Sequence, residues 1–159
     1  MKILIVSDTH RRNDSYVALC SREAPLDMVV HCGDIEGSEY LIQKAAGCET
    51  HMVMGNNDFF SELPREEIFD IGPYKVWLTH GHNYYVSMSN EYLKEEAVSR
   101  GVDIVMYGHT HKPVIDKDGD IWAVNPGSLT YPRQEGRRPS YIIMTVDDEG
   151  KIGFEIKYL

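Results

Sequence analysis

Five short apolar runs, each closing on a small polar cluster, restrict most strongly the folds open to this chain. Lys2–Val6 leads into Ser7-Asp8-Thr9-His10, and Asp27–Cys32 into Gly33-Asp34. His51–Met54 is followed by Gly55-Asn56-Asn57-Asp58, Lys75–Thr79 by His80-Gly81-His82, and Asp103–Tyr107 by Gly108-His109-Thr110-His111. Several of these runs are continuous rather than alternating, as in strands covered on both faces. Helical stretches fall between them. Ser38 is placed to cap a helix carrying Leu41, Ile42, Ala45 and Ala46 that ends at Gly47. Ser89 or Asn90 is placed to cap another through Arg100, and a shorter helix is expected around Asp14–Ser21.

The last third changes character. Val114–Ile115, Ile121–Val124, Tyr141–Val146 and Ile152–Tyr158 read as antiparallel strands, with turns at Asp118-Gly119-Asp120 and Asp148-Glu149-Gly150. The expectation is an α/β fold followed by a β-meander, with two packed sheets and helices outside. One domain accounts for residues 1–159.

Strand ends in an open α/β sheet converge on one edge, where ligands bind, so the five polar clusters should meet in space. Five of the seven histidines lie in them: His10, His80, His82, His109 and His111. Asp8/His10 and His109/His111 are i, i+2 pairs, a spacing that puts both side chains on one face of extended chain. Glycine before Asp34, Asn56 and His109 permits tight turns and close backbone approach. Imidazole, carboxylate and amide oxygen together suit manganese, iron, zinc, nickel or cobalt. The absence of thiolates from the clusters argues against a structural zinc or iron–sulfur site. His31 and His51 lie inside apolar runs and read as packed strand residues. Arg133, Arg137 and Arg138 read first as solvated loop charges, with phosphate steering as the alternative.

The net charge of −9 opposes binding of long nucleic acid, which needs a basic surface to neutralise phosphates. An anionic small substrate stays open, because bound metal can supply a local positive field. The opening apolar run is too short for a secretory h-region or a membrane span. Cys20, Cys32 and Cys48 are odd in number and lack CxxC spacing, which points to free thiols in a reducing, cytoplasmic setting. Monomer and homo-oligomer are equally compatible with the sequence.

The ordered set Asp8-x-His10, Gly33-Asp34, Gly55-Asn56, His80-Gly81-His82 and Gly108-His109-x-His111 resembles the calcineurin-like metallophosphoesterase superfamily. The likeness is closest to its compact prokaryotic phosphodiesterase branch, and it extends to Asn125-Pro126-Gly127-Ser128. It implies a two-sheet β-sandwich flanked by helices. It also implies two divalent metal ions, manganese being favoured: Asp8, His10 and His111 on one, Asn56, His80 and His109 on the other, with Asp34 bridging. Such a pair attacks small phosphodiesters in line through a metal-bridging hydroxide, so no Ser or Cys nucleophile is required. Many members carry His after the Gly-Asn pair, where this chain has Asn57. Asparagine donates a hydrogen bond but cannot deliver a proton. His82 is the candidate to fill that vacancy, and Asp58 to orient Asn57 or a ligand histidine. The competing reading is a non-catalytic scaffold of the same fold for protein–protein interaction, as in the retromer subunit that shares it. Competent ligands at all seven positions favour an enzyme.

Overall fold

In β1 (Lys2–Val6), Ile3, Leu4, Ile5 and Val6 are all fully buried, because the strand has packed structure on both of its faces. The computed structural model describes residues 1–159 and contains two mixed five-stranded sheets flanked by three α-helices. The first sheet adds β2 (Met28–His31), β3 (Glu49–Met52), β9 (Ser140–Val146) and β10 (Ile152–Tyr158), in the order β10-β9-β1-β2-β3. The second holds β4 (Glu66–Ile71), β5 (Tyr74–Thr79), β6 (Ile104–Met106), β7 (Pro113–Asp118) and β8 (Ile121–Pro126), in the order β4-β5-β6-β8-β7. In each sheet three parallel strands, β1-β2-β3 and β5-β6-β8, run side by side. Their carboxyl ends carry the polar clusters.

Alternation along β1 assigns its side chains to two cores. Ile3 and Ile5 join Val30, Leu78, Met106, Val124 and Met144 in the apolar layer between the sheets. Leu4 and Val6 point the other way, against Leu19 of α1 (Asp14–Glu23) and Ile42 of α2 (Glu39–Ala46). On the far side of the second sheet, Trp77, Val105 and Ala123 pack with Leu93 and Ala97 of α3 (Glu91–Ser99). Each fully buried aliphatic side chain contributes roughly 1.5–3 kcal/mol relative to exposure. The resulting helix–sheet–sheet–helix stack fixes the strand ends relative to one another.

α2 ends as expected at Gly47, in the left-handed region at φ 63°, with its N–H donated to the Gln43 carbonyl. Neither Ser38 nor Asn90 caps through its side chain, and Asn90 Nδ2 donates instead to Asp116 Oδ2 at 3.0 Å. The last four strands do not form one continuous meander. They split into two hairpins: β7–β8 extends the second sheet with β8 parallel to β6, whereas β9–β10 returns to the first with β9 antiparallel to β1. The segment between β8 and β9 carries the chain from one sheet to the other. No helix is long and apolar enough to cross a membrane. Cys20 and Cys32 are buried and Cys48 half-buried, all as free thiols.

Candidate metal centre

The loops after β1, β2, β3, β5 and β6 bring Asp8, His10, Asp34, Asn56, His80, His109 and His111 together at one end of the two sheets. Donor atoms of Asp8, His10, Asp34 and His111 all lie within 4.8 Å of one another. Asp8 Oδ1 is 3.0 Å from His111 Nε2 and 3.8 Å from His10 Nε2, which is 3.8 Å from Asp34 Oδ2. On the other side of Asp34, its Oδ2 is 3.5 Å from His80 Nε2. Asn56 Oδ1 is 3.1 Å from His80 Nε2 and 2.9 Å from His109 Nδ1. Asp34 therefore stands between two groups of donors.

Ring orientation sets which nitrogens face inward. His80 Nδ1 donates to the Cys32 carbonyl at 2.7 Å, and His111 Nδ1 to the Tyr131 carbonyl at 2.7 Å. A carbonyl can only accept, so both Nδ1 atoms carry protons and both Nε2 atoms point into the site. His10 is held in the same sense by Glu36 Oε1, 2.6 Å from its Nδ1. His10 Nε2 and Asp8 Oδ1 are buried with no aligned hydrogen-bond partner. Buried polar atoms are rarely left so. Imidazoles anchored through one nitrogen, with the other turned toward carboxylate and amide oxygens, fit divalent cations chemically.

The electrostatics agree. Burial of Asp8 works against its charge, but the neighbouring His111 and His80, with the Ser7 hydroxyl, hold its carboxyl below the ordinary range. Asp34 is likewise buried, and its His80 and Asn57 partners hold it low. Burial opposes charge on His80, yet Asp34 and Asp8 outweigh this and raise it to about 9. His109 and His82 are pushed down by burial and then by the charge on His80. The field of the two carboxylates thus stabilises one positive charge at the centre of the cluster.

The backbone is bent to place these groups. Asp8, His10, Asp34, His109 and His111 all adopt left-handed conformations, with φ between 45° and 69°. Such backbones cost of order 1–3 kcal/mol each and gather at functional sites, with Asn, Asp and His the residues that bear them best. Close approach explains two glycines. A Cβ on Gly55 would sit 2.1 Å from Asp34 Oδ1, and one on Gly108 2.1 Å from Ser7 Oγ.

The three candidate catalytic residues take different places. Asn57 lies against the Asp34 carboxylate, donating from its backbone N–H to Asp34 Oδ1 at 2.9 Å and from Nδ2 to Oδ2 at 2.7 Å. His82 stands beside the second donor group, its ring centroid 5.4 Å from that of His80, with Nδ1 buried and unpartnered. Asp58 orients neither Asn57 nor a histidine. Its buried carboxylate accepts from the backbone amides of Asp34, Gly55, Ile35 and Glu36 at 2.5–2.9 Å. Both oxygens are consumed in pinning the Asp34 loop to the Asn56 loop, which leaves neither for chemistry.

His31 and His51 are packed strand residues. His31 is fully buried, 3.1 Å from Thr9 Oγ1, and burial lowers it to about 3; His51 stacks on Phe69. Sequence reasoning missed Glu36, which holds His10, although it stands two residues after Asp34 in the same polar cluster. It also missed Ser7, whose hydroxyl donates to Asp8 Oδ2 at 2.6 Å. Asn125 and Ser128 close the back of the site: Asn125 Nδ2 donates to the Gly108 carbonyl and Ser128 Oγ to the Asp8 carbonyl. Arg133 and Arg137 line a cavity of about 560 Å³ with His10, Asp34, Asn56 and Asn57, whereas Arg138 stacks on Tyr158 away from it.

A two-sheet sandwich whose strand ends gather histidines, carboxylates and an amide is the architecture of a metal-dependent phosphoester hydrolase. The chain belongs to the calcineurin-like phosphoesterase superfamily, whose domain model matches residues 1–149. A probable metallophosphoesterase of Methanocaldococcus jannaschii is 35% identical over 136 residues, 84% of this chain and 70% of the relative. A phosphodiesterase of the same organism is 31% identical over 146 residues, 80% of this chain and 83% of the relative. Among solved structures, a predicted phosphoesterase from Streptococcus pneumoniae TIGR4 superposes with a TM-score of 0.83 at 28% identity, covering 99% of this chain and 88% of that one. Wild-type Vps29 from Entamoeba histolytica, complexed with Zn2+, gives 0.79 at 25% identity, covering 99% of each chain.

Proposed function

We propose that residues 1–159 form one cytoplasmic domain that hydrolyses small phosphodiesters with two divalent ions, manganese foremost. The observation that carries this reading is the set of inward-facing, tautomer-fixed histidine nitrogens opposed to Asp8 and Asp34. Asp8, His10 and His111 would hold one ion, Asn56, His80 and His109 the other, and Asp34 both. When bound, such a pair lowers the pKa of water and neutralises charge on attacking and leaving oxygens. Glu36, Cys32 O and Tyr131 O keep the three histidines in register. Asn57 holds Asp34 and offers its Nδ2–H to a phosphate oxygen, but it brings no acidic proton. The enzyme therefore favours substrates whose leaving oxygen departs as a stable anion. Arg133 and Arg137, in the cavity beside the donors, add cationic charge for a phosphate in an otherwise acidic protein.

Purified protein loaded with Mn2+ should cleave bis(p-nitrophenyl) phosphate faster than p-nitrophenyl phosphate and lose both activities to a chelator. Asp34→Ala and His109→Ala should each lose metal and activity together; a variant that keeps full activity with both ions sinks the ligand assignment. The similarity to Vps29 supports one rival reading, a protein-binding scaffold. Fully metallated protein that cleaves neither ester would favour that rival.

A further inference from the structure

A second concavity, of about 730 Å³, adjoins the candidate metal centre and is lined by neither Arg133 nor Arg137. It borders the site, because Asn57 lines both hollows, and Glu36, which holds His10, forms part of its lining. Aromatic side chains stand around it largely in solvent: Tyr40 is 76% exposed, Phe59 77% and Phe60 101%. Leaving three large aromatic rings in water beside a reaction centre costs burial energy that a ligand would recover. The charged groups of the hollow are Glu36, Glu39, Glu62 and the buried Asp58 against Arg11, a net excess of carboxylate. That excess repels a second phosphate or a carboxylate and suits a neutral ring with N–H donors. The volume lies within the range of small-molecule sites.

Building on the phosphodiesterase reading, we propose that this groove receives one ester substituent of the substrate, an aromatic ring of nucleobase type stacked among Tyr40, Phe59 and Phe60. The phosphate then rests at the donor cluster, with Asn57 at the junction. The substrate class becomes nucleoside phosphodiesters rather than simple alkyl ones.

The test compares adenosine 5′-(p-nitrophenyl) phosphate with methyl p-nitrophenyl phosphate on Mn2+-loaded protein, the two sharing a leaving group. The adenosyl ester should show about a tenfold higher kcat/KM, carried by KM, as expected for one base stacked on aromatic side chains. Phe59→Ala should lower the adenosyl-to-methyl ratio severalfold, and Phe60→Ala and Tyr40→Ala should do likewise. In parallel, adenosine titrated into metal-free protein should shift NMR amide resonances of residues 37–40 and 57–63, and Phe59→Ala should remove those shifts. Equal handling of the two esters overturns the groove assignment while leaving the phosphodiesterase reading intact. Failure to cleave either ester, with the adenosine shifts present, overturns the catalytic reading and upholds the groove. No shifts and no preference refute the proposal and leave the aromatic face to a protein partner.

Discussion

Replacing Asp58 with asparagine separates a structural role from a catalytic one. The carboxylate accepts from four backbone amides, Asp34 N and Gly55 N on Oδ2, Ile35 N and Glu36 N on Oδ1. Asparagine keeps one acceptor oxygen and turns the other into an NH2 group. Whichever way the amide is flipped, one pair of buried N–H donors then faces another donor. Each orphaned donor costs about 1–3 kcal/mol, so the pair costs about 2–6 kcal/mol. For a chain of this size each kcal/mol moves Tm by about 2–4 °C, so Asp58→Asn should melt roughly 10 °C lower. Because the bracket joins the loop bearing Asp34 to the loop bearing Asn56, metal affinity should fall with stability. Thermal unfolding with and without Mn2+, together with calorimetric metal titration, reads both. If Asp58 were instead a proton donor, the variant would keep wild-type Tm and metal affinity and lose only kcat. That result would refute the reasoning.

Three further perturbations test contacts in and beyond the site. Glu36→Gln keeps a hydrogen bond to His10 but removes the charge that fixes its ring; metal affinity should drop about 10–100-fold in a titration, with the fold unchanged by circular dichroism. Gly55→Ala drives a methyl into Asp34 Oδ1 at 2.1 Å; denaturant unfolding should register a loss of about 1–3 kcal/mol and metal titration a weaker site. Glu23 tests electrostatics far from the site. Burial opposes its charge, but Tyr141, Lys2 and Lys157 outweigh burial and lower it from 4.5 to about 2. Its folded value lies below the unfolded one, so its stabilisation is present above pH 4.5 and fades as pH falls towards 2. Glu23→Gln should therefore cost about 1–2 kcal/mol at pH 7 and progressively less in acid, measured by denaturant unfolding across that range.

The sequence was most readable where burial leaves a one-dimensional trace. β1 is covered on both faces, so its four apolar residues follow one another without interruption, and it was located residue for residue. β4 leaves no such trace because it is an edge strand: Glu66, Glu67 and Asp70 flank Ile68 and Phe69, and no longer apolar run appears. The gathering of the seven candidate ligands was legible for a related reason. All but Asn56 follow a largely buried strand, and strand order converts separate clusters into one place. What could not be read was whatever depends on partners remote in the chain. Glu36 meets His10 across 26 residues, and Asp58 meets Asp34 across 24. The left-handed backbones at the ligand positions leave no mark in a residue string, since Asp and His occupy ordinary conformations far more often. The β8–β9 crossover was likewise hidden, because two hairpins and a meander have the same strand pattern until pairing is known.

The candidate ligands come from both sheets: Asp8, His10, Asp34 and Asn56 follow strands of the first, and His80, His109 and His111 strands of the second. Elsewhere the sheets meet mainly through the apolar layer between them, which resists separation but has little means of dictating alignment to a fraction of an ångström. Ions held by donors from both would act as a rivet at one end of a bivalve. Such a rivet makes the two halves melt as one, and it turns any slip between them into a change in the reaction centre. Substitutions in the middle of the sandwich, well away from every polar cluster, would then be felt first as altered chemistry and only afterwards as lost stability.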